Sequence, residues 1–186
     1  MLPLGQRIGQ RIGQRIAQEF ADAAVVSVPG PDASDIGGGW QWFSVRGITE
    51  DDRPQRIAAT MTRFVATIQR LQNVFAASPA TTVLVGFSQG AIMALESTQT
   101  GTPVAGRVVA MAGRFARPPM QAPGSTALHL VHGDADPVVA ARHSVEAGAV
   151  LAELGADASV DIVAGLGHGM NATAVDLVIR RIKAKG

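Results

Sequence analysis

The 186-residue sequence contains no cysteine, which excludes disulfide bonds, thiolate nucleophiles and cysteine metal sites. Aromatic residues are also scarce, at 4% of the chain, so a packed core must be built mainly from alanine, valine, leucine and isoleucine. No apolar run approaches the length that spans a membrane, and the N-terminal stretch lacks the apolar middle of a secretion signal. Because the absence of cysteine also suits a reducing compartment, we expect a cytoplasmic protein without stable membrane insertion.

Charge and length limit the binding partners and the number of domains that we expect. The net charge is +1, with lysine and arginine spread along the chain, so there is no electrostatic reason to expect nucleic acid or an anionic membrane as a partner. Apolar residues make up 47% of the sequence, which is enough for a packed core, and the length fits one domain. We predict a single domain over residues 1–186, in which residues 1–22 form an atypical helix that carries a short repeat.

Short β-branched runs alternate with segments of helical spacing from Ala23 onward. The predicted strands are residues 24–28, 82–87, 107–112, 127–132 and 159–163. Helices are predicted over 52–77, over 138–154 and after Asn171, a residue type that favours the N-cap. This alternation predicts an α/β fold, with a mainly parallel sheet covered by helices on both faces. Residues 29–39 are interpreted as a surface loop inside the domain.

Residues 86–90 read GFSQG and fit the pattern G-x-S-x-G. The pattern alone is weak, but a predicted strand precedes it and an apolar helix follows it, which is the setting of a nucleophile elbow. Gly86 and Gly90 lack a Cβ atom, so we expect the strand and the helix to approach closely there. The helix then directs its free N–H groups at developing negative charge. Ser88 is the candidate nucleophile, and the alternative is a serine in an ordinary turn.

A serine nucleophile needs a base, and the chain offers four histidines. His129 and His132 fall in or at the end of a predicted strand and His143 falls in a helix, so each is interpreted as structural or surface. His129 and His132 also point to opposite faces of their strand, which disfavours a metal site. His168 lies in the glycine-rich loop GLGHGM, at the sheet edge where active sites collect. We predict His168 as the base, against the alternative of a solvent-facing loop histidine.

The stretch HGDADPVV at 132–139 supplies two carboxylates in a loop after a strand. One of them would hold the imidazole in its working tautomer. Asp136 precedes Pro137, which restricts it to an extended backbone, whereas Asp134 is also suited to forming a turn. The order Ser88, Asp136, His168 is that of the α/β-hydrolases, and each residue follows a successive later strand.

These stretches resemble the serine carboxylesterase and phospholipase family of α/β-hydrolases, which includes acyl-protein thioesterases and is related to dienelactone hydrolases. The resemblance runs from about Ala23 to the C-terminus and rests on GFSQGAIMALE (86–96), HGDADPVV (132–139), GLGHGM (165–170) and QWFSVRGITEDD (41–52). It implies that Ser88 is the nucleophile, Asp136 the orienting acid and His168 the base, with the Gln89 N–H as an oxyanion donor and no cofactor. Dienelactone hydrolases use a cysteine nucleophile, so a serine here favours ester or thioester hydrolysis.

The resemblance also implies an N-terminal part that this sequence lacks. Family members have a strand between those predicted at 24–28 and 82–87, and it ends in a His-Gly loop that supplies the second oxyanion donor. Loss of one such donor typically lowers a rate about a hundred- to thousandfold. Three explanations stay open: about two to three dozen residues missing upstream, a decayed relative, or closure of the remaining strands with a second copy over the edge, as a homodimer. We favour the first.

The N-terminal segment repeats GQRI three times. Its apolar residues recur every fourth position and predict an amphipathic helix: Leu4, Ile8, Ile12, Ile16 and Phe20. Gly5, Gly9 and Gly13 each cost about 1 kcal/mol relative to alanine, so the early turns are expected to be marginal. Glycine and glutamine disfavour the alternative of a basic helix on a membrane surface.

Trp40, Trp42 and Phe43 lie together ahead of a predicted helix. By the resemblance they would line the mouth of an acyl pocket, and the alternative is ordinary burial. We predict a serine hydrolase that cleaves esters or thioesters of short to medium acyl chains. The alternative function is a catalytically impaired hydrolase-fold protein that acts only in binding or association. A nucleotide-binding function has little support, since no P-loop or dinucleotide fingerprint occurs.

Overall fold

The computed structural model describes residues 4–184, with side chains from residue 9 onward. Its helices are α1 (Leu4–Glu19), α2 (Arg53–Val74), α3 (Gln89–Ser97), α4 (Arg142–Glu153) and α5 (Ala172–Lys183), with a 3₁₀ turn at Pro79–Thr81. Its strands are β1 (Asp32–Ala33), β2 (Trp40–Gln41), β3 (Val83–Phe87), β4 (Arg107–Met111), β5 (Ala127–Gly133) and β6 (Ala158–Val163). The α/β class predicted from the sequence is confirmed.

Four parallel strands form the main sheet, in the spatial order β3-β4-β5-β6. Val83 pairs with Arg107, and Arg107 in turn pairs with Ala127, so the strands begin nearly level with one another. The first and last residues of each strand agree to within one residue with those of a predicted β-branched run. Their carboxyl ends therefore meet at one edge of the sheet, where the loops that carry Ser88, Asp136 and His168 begin.

The strand predicted at residues 24–28 is wrong, because the structure has no regular element there. Val25 and Val26 are 37% and 44% exposed. Both are β-branched, and this composition is what favoured a strand. The segment instead lies along the glycine-bearing side of α1, where Gly13 faces the Val25 side chain. A strand needs a ladder partner, and residues 24–28 do not pair with β3, the edge strand of the main sheet.

Helices cover both faces of the sheet, as predicted. On one face Ile57 of α2, Leu95 of α3 and Leu151 of α4 are packed in one buried cluster. On the other face Ile12 of α1 and Val178 of α5 are packed in a second cluster. Leu4 and Ile8, which were predicted to extend the apolar stripe of α1, have side chains outside the described residues. None of the described helices is both long and apolar enough to cross a bilayer.

Several elements differ from the sequence-based expectation. Helix α2 ends at Val74, three residues before the predicted end at residue 77. Helix α4 begins at Arg142, four residues later than predicted, because a turn after Asp136 occupies the intervening residues. The loop at residues 29–39 contains the two-residue strand β1, which pairs antiparallel with β2. The N-cap at Asn171 is confirmed, since its side chain accepts a hydrogen bond from the Ala174 N–H at 2.9 Å.

Candidate active site

Ser88 lies at a sharp turn between β3 and α3. Its backbone has φ 53° and ψ −116°, outside the regions that serine ordinarily occupies. A Cβ atom at Gly86 would lie 2.5 Å from the backbone nitrogen of Ala91, so only glycine lets the strand and the helix approach this closely. Close packing does not explain the glycine at position 90, where an added Cβ would meet nothing within 4 Å. Of the two glycines, only Gly86 is required by this close packing.

His168 contacts the Ser88 side chain from the loop between β6 and α5. Its Nε2 atom lies 3.1 Å from Ser88 Oγ, although the two residues are 80 positions apart in the sequence. The imidazole is largely buried, with 15% of the side chain exposed, and it packs at a tilt against the Phe87 ring. The histidine is therefore not a solvent-facing loop residue.

Asp136 completes a continuous line of hydrogen bonds. Its Oδ2 atom lies 2.8 Å from Nδ1 of His168, and Oδ1 accepts the N–H groups of Val138 and Val139 at 2.8 and 3.0 Å. Burial opposes ionisation of this carboxylate, but the hydrogen bonds from Val139, His168 and Val138 outweigh it and lower the pKa of Asp136. In the neutral imidazole, Nδ1 of His168 donates to the ionised carboxylate, which leaves Nε2 as the acceptor that faces Ser88 Oγ.

Asp134, the other carboxylate in the same loop, has a different partner. Its Oδ1 atom accepts the N–H of Gly165 at 2.6 Å, which ties the loop after β5 to the loop after β6. The same two loops meet at Gly133, where a Cβ atom would overlap the carbonyl oxygen of Leu166. Because this carbonyl also accepts the N–H of Ala135 at 3.1 Å, the loops of Asp136 and His168 are held as one unit.

Gln89 presents both its backbone N–H and its side chain at the site, and only the N–H was considered from the sequence. Its N–H lies in the first turn of α3, where helical N–H groups have no partner within the helix. Its side chain joins a distant segment, since Oε1 accepts the Trp42 N–H at 2.9 Å and Nε2 donates to the Phe43 carbonyl at 3.0 Å. No local sequence signal could have indicated this contact, because the partners are 46 and 47 positions away.

A groove of about 720 Å³ opens beside Ser88 and His168. Its walls come from α1, residues 23–30, α2 and β3. Among the lining side chains from residue 9 onward there is no aspartate, glutamate, lysine or arginine. Trp40 and Trp42 lie on this lining. Trp40 is 56% exposed, whereas Trp42 is buried and packs edge-on against Phe64. Phe43 is buried in the core and does not line the groove.

The other three histidines lie away from Ser88. His129 contacts Ser159 and Arg107, and burial, together with Arg107 and Arg181, lowers its pKa. Burial, together with Arg114, likewise lowers the pKa of His143. His132 is fully buried behind Asp136. Within residues 9–184, no group of three or more histidine and acidic side chains is placed to hold a metal ion.

Comparison with known proteins agrees with this architecture. The model of the phospholipase/carboxylesterase family of α/β-hydrolases matches residues 22–185. Esterase YpfH of Escherichia coli (strain K12) is 42% identical over 164 residues, which are 88% of this chain and 71% of that protein.

Solved structures give the same result. The crystal structure of esterase PE8 has a TM-score of 0.86 at 28% identity, covering 97% of this chain and 87% of its own. Arabidopsis thaliana SOBER1 has a TM-score of 0.76 at 19% identity, with 96% and 92% of the two chains covered, and supports the fold alone. The chain therefore belongs to the phospholipase/carboxylesterase family and is a carboxylesterase-type hydrolase with the α/β-hydrolase fold.

Proposed function

We propose that this protein hydrolyses carboxylic esters or thioesters through Ser88, His168 and Asp136, by way of an acyl-enzyme. One observation carries the proposal: the unbroken hydrogen-bond line from Ser88 Oγ through the imidazole to the Asp136 carboxylate. A serine hydroxyl alone is a weak nucleophile, and a histidine oriented by a carboxylate is the arrangement that activates it.

The reaction follows from these atoms. Ser88 Oγ attacks the ester carbonyl carbon while Nε2 of His168 takes the hydroxyl proton, and the imidazolium is stabilised by Asp136. The Gln89 N–H stabilises the oxyanion that forms on the carbonyl oxygen. His168 then gives its proton to the leaving alcohol or thiol. A water molecule attacks the acyl-enzyme with His168 again as the base, which restores Ser88 and releases the acid.

The groove supports an uncharged, apolar acyl group. It reaches Ser88, and Trp40 and Trp42 lie along it. Its described lining residues include no aspartate, glutamate, lysine or arginine. Buried apolar area is the main source of binding energy for such a group, at about 25 cal/mol per Å². We assign short to medium acyl chains to it, with Trp40 and Trp42 as contacts. Phe43 belongs to the same buried cluster as Trp42.

Turnover of p-nitrophenyl acetate, butyrate and octanoate by the 186-residue chain tests the proposal, with Ser88→Ala as the matched control. We expect saturable turnover that disappears in the variant, with butyrate or octanoate preferred over acetate. A fluorophosphonate probe adds an independent readout, because labelling requires an activated serine. Turnover that persists in Ser88→Ala would refute the assignment, and folded protein that neither turns over nor labels would favour the alternative of a binding protein.

A further inference from the structure

His132 is a buried, ionisable side chain that the proposed reaction does not use. It lies near the end of β5, four residues before Asp136, and its side chain is completely inaccessible to solvent. A fully buried histidine needs partners for both ring nitrogens, since an unpaired polar group inside a protein costs about 1–3 kcal/mol. Both partners are present, and one of them belongs to the loop that carries Asp136.

The hydrogen-bond partners of His132 indicate which ring nitrogen carries the hydrogen. Nε2 lies 2.8 Å from the carbonyl oxygen of Val139, which can only accept, so Nε2 carries a hydrogen and donates it. In the neutral ring, Nδ1 then accepts, and its partner is the hydroxyl of Ser144 at 2.7 Å. The same Nε2 lies 3.4 Å from Oδ2 of Asp136. That oxygen is the one that faces His168.

These contacts close a ring around the carboxylate. Oδ1 of Asp136 accepts the N–H of Val139, and Nε2 of His132 donates to the carbonyl of the same residue. The turn after Asp136 is thus fixed by the carboxylate and by the imidazole together. Without His132, the carbonyl of Val139 loses its buried donor, and the turn that orients Oδ2 toward His168 loses one of its anchors.

We infer that His132 is a positioning residue, which sets the orientation of the Asp136 carboxylate toward His168 by its Nε2–H contact with the turn. The inference rests on the proposed function. His132 touches no reacting atom and acts only through Asp136. Misplacement of a catalytic group by about 1 Å can lower a rate by about a hundredfold, so the effect belongs to kcat and not to substrate binding.

Two substitutions of His132 distinguish the contribution of the Nε2 contact from that of the Nδ1 contact. In His132→Gln the amide nitrogen takes the place of Nε2 and keeps the donor to Val139. In His132→Asn the shorter side chain places its amide near Nδ1 and keeps only the contact with Ser144. We expect His132→Gln to retain kcat within about threefold, and His132→Asn to lose about ten- to a hundredfold in kcat with KM changed by less than about twofold.

Ser144→Ala is a second variant that removes only the partner of Nδ1, and it keeps the test valid if His132→Asn fails to fold. We expect a lower kcat than in the wild type with KM changed by less than about twofold, and an unchanged kcat would overturn the role of His132. The downfield proton resonance of His168 Nδ1, measured by NMR, adds a readout independent of turnover. We expect it to shift or broaden in His132→Asn and to stay near its wild-type position in His132→Gln.

The outcomes separate the role of His132 from the proposed function. Equal kcat in the Gln and Asn variants, or an effect confined to KM, would overturn the role of His132. An unchanged His168 proton resonance in folded His132→Asn would overturn it as well. Wild-type protein without Ser88-dependent turnover would overturn the proposed function, and the resonance would still decide whether His132 positions Asp136.

Discussion

At the scale of single residues, Ser88 holds a backbone conformation that costs free energy. A non-glycine residue in such a region is strained by about 1–3 kcal/mol and persists only where its surroundings fix it. Here the surroundings are the β3 ladder, through the hydrogen bond from the Ser88 N–H to the Met111 carbonyl at 2.9 Å, and the first turn of α3. This backbone conformation directs the Ser88 hydroxyl toward His168.

This strain predicts a stability difference between two inactive variants. Ser88→Ala and Ser88→Gly both remove the hydroxyl, but only glycine adopts a φ of 53° without cost. We expect Ser88→Gly to exceed Ser88→Ala by about 1 kcal/mol in the free energy of unfolding, measured by urea denaturation. An alanine variant of equal or greater stability would show that the elbow is not strained.

Substitution of Asp136 is predicted to change both kcat/KM and the pH dependence of stability. Asp136→Asn should lower kcat/KM by roughly 10³–10⁴-fold, because an amide no longer fixes the imidazole tautomer. The pKa of Asp136 is lowered in the folded state, so the ionised carboxylate contributes stability above the ordinary aspartate pKa of about 4. That contribution is lost as the pH falls through the lowered pKa.

Urea denaturation between pH 6 and pH 2.5 measures this contribution. We expect the wild type to lose more stability than Asp136→Asn over the part of this range below about pH 4. Parallel curves for the two proteins would mean that the carboxylate is not stabilised by its partners in the folded state.

At the scale of elements, the loops after β5 and β6 depend on each other at Gly133. We expect Gly133→Ala to displace Leu166, because the new methyl group would overlap its carbonyl oxygen, and to move His168 with it. The expected loss is about 1–3 kcal/mol in the free energy of unfolding and at least tenfold in kcat on a p-nitrophenyl ester.

Gly37→Ala is the matched control for this substitution. Gly37 is exposed, its φ is negative or extended, and an added Cβ atom would meet nothing within 4 Å. We expect wild-type kcat and stability from it. Equal effects of the two substitutions would show that the close approach at Gly133 is not what holds the loops together.

The elements also show what sequence patterns could and could not predict. Strands β3 to β6 were found from local β-branched runs, and the three candidate residues from the loops that follow three of them. Residues 24–28 have the same composition and form no strand, because pairing depends on a neighbour that composition does not describe. The side-chain contacts of Gln89 and His132 were missed for the same reason, since each depends on a partner placed by the tertiary fold.

At the scale of the whole molecule, the buried His129 and the partly buried His143 are expected to make stability depend on pH near neutrality. The pKa of His129 and the pKa of His143 are both lowered, so protonation favours the unfolded chain. Their contribution is complete above the ordinary histidine pKa of about 6.5 and is lost as the pH falls below it. We expect the unfolding free energy to decrease from pH 7.5 to pH 5.

Substitution of these side chains should flatten that dependence. In His129→Gln the decrease between pH 7.5 and pH 5 should be smaller than in the wild type, and smaller again in the double variant with His143→Gln. Chemical denaturation at five pH values measures the slopes. A wild-type slope retained in the double variant would assign the dependence to other groups.

The order of the strands in the sheet has a consequence for synthesis on the ribosome. Because β3, β4, β5 and β6 are adjacent in the order in which they are translated, each new strand meets a partner that already exists. Ser88 and His168, in contrast, are 80 positions apart, and α5 follows the histidine. A nascent chain can therefore pair most of this sheet before Ser88 and His168 meet, so the proposed serine chemistry becomes available only after the loop of residue 168 has been synthesised.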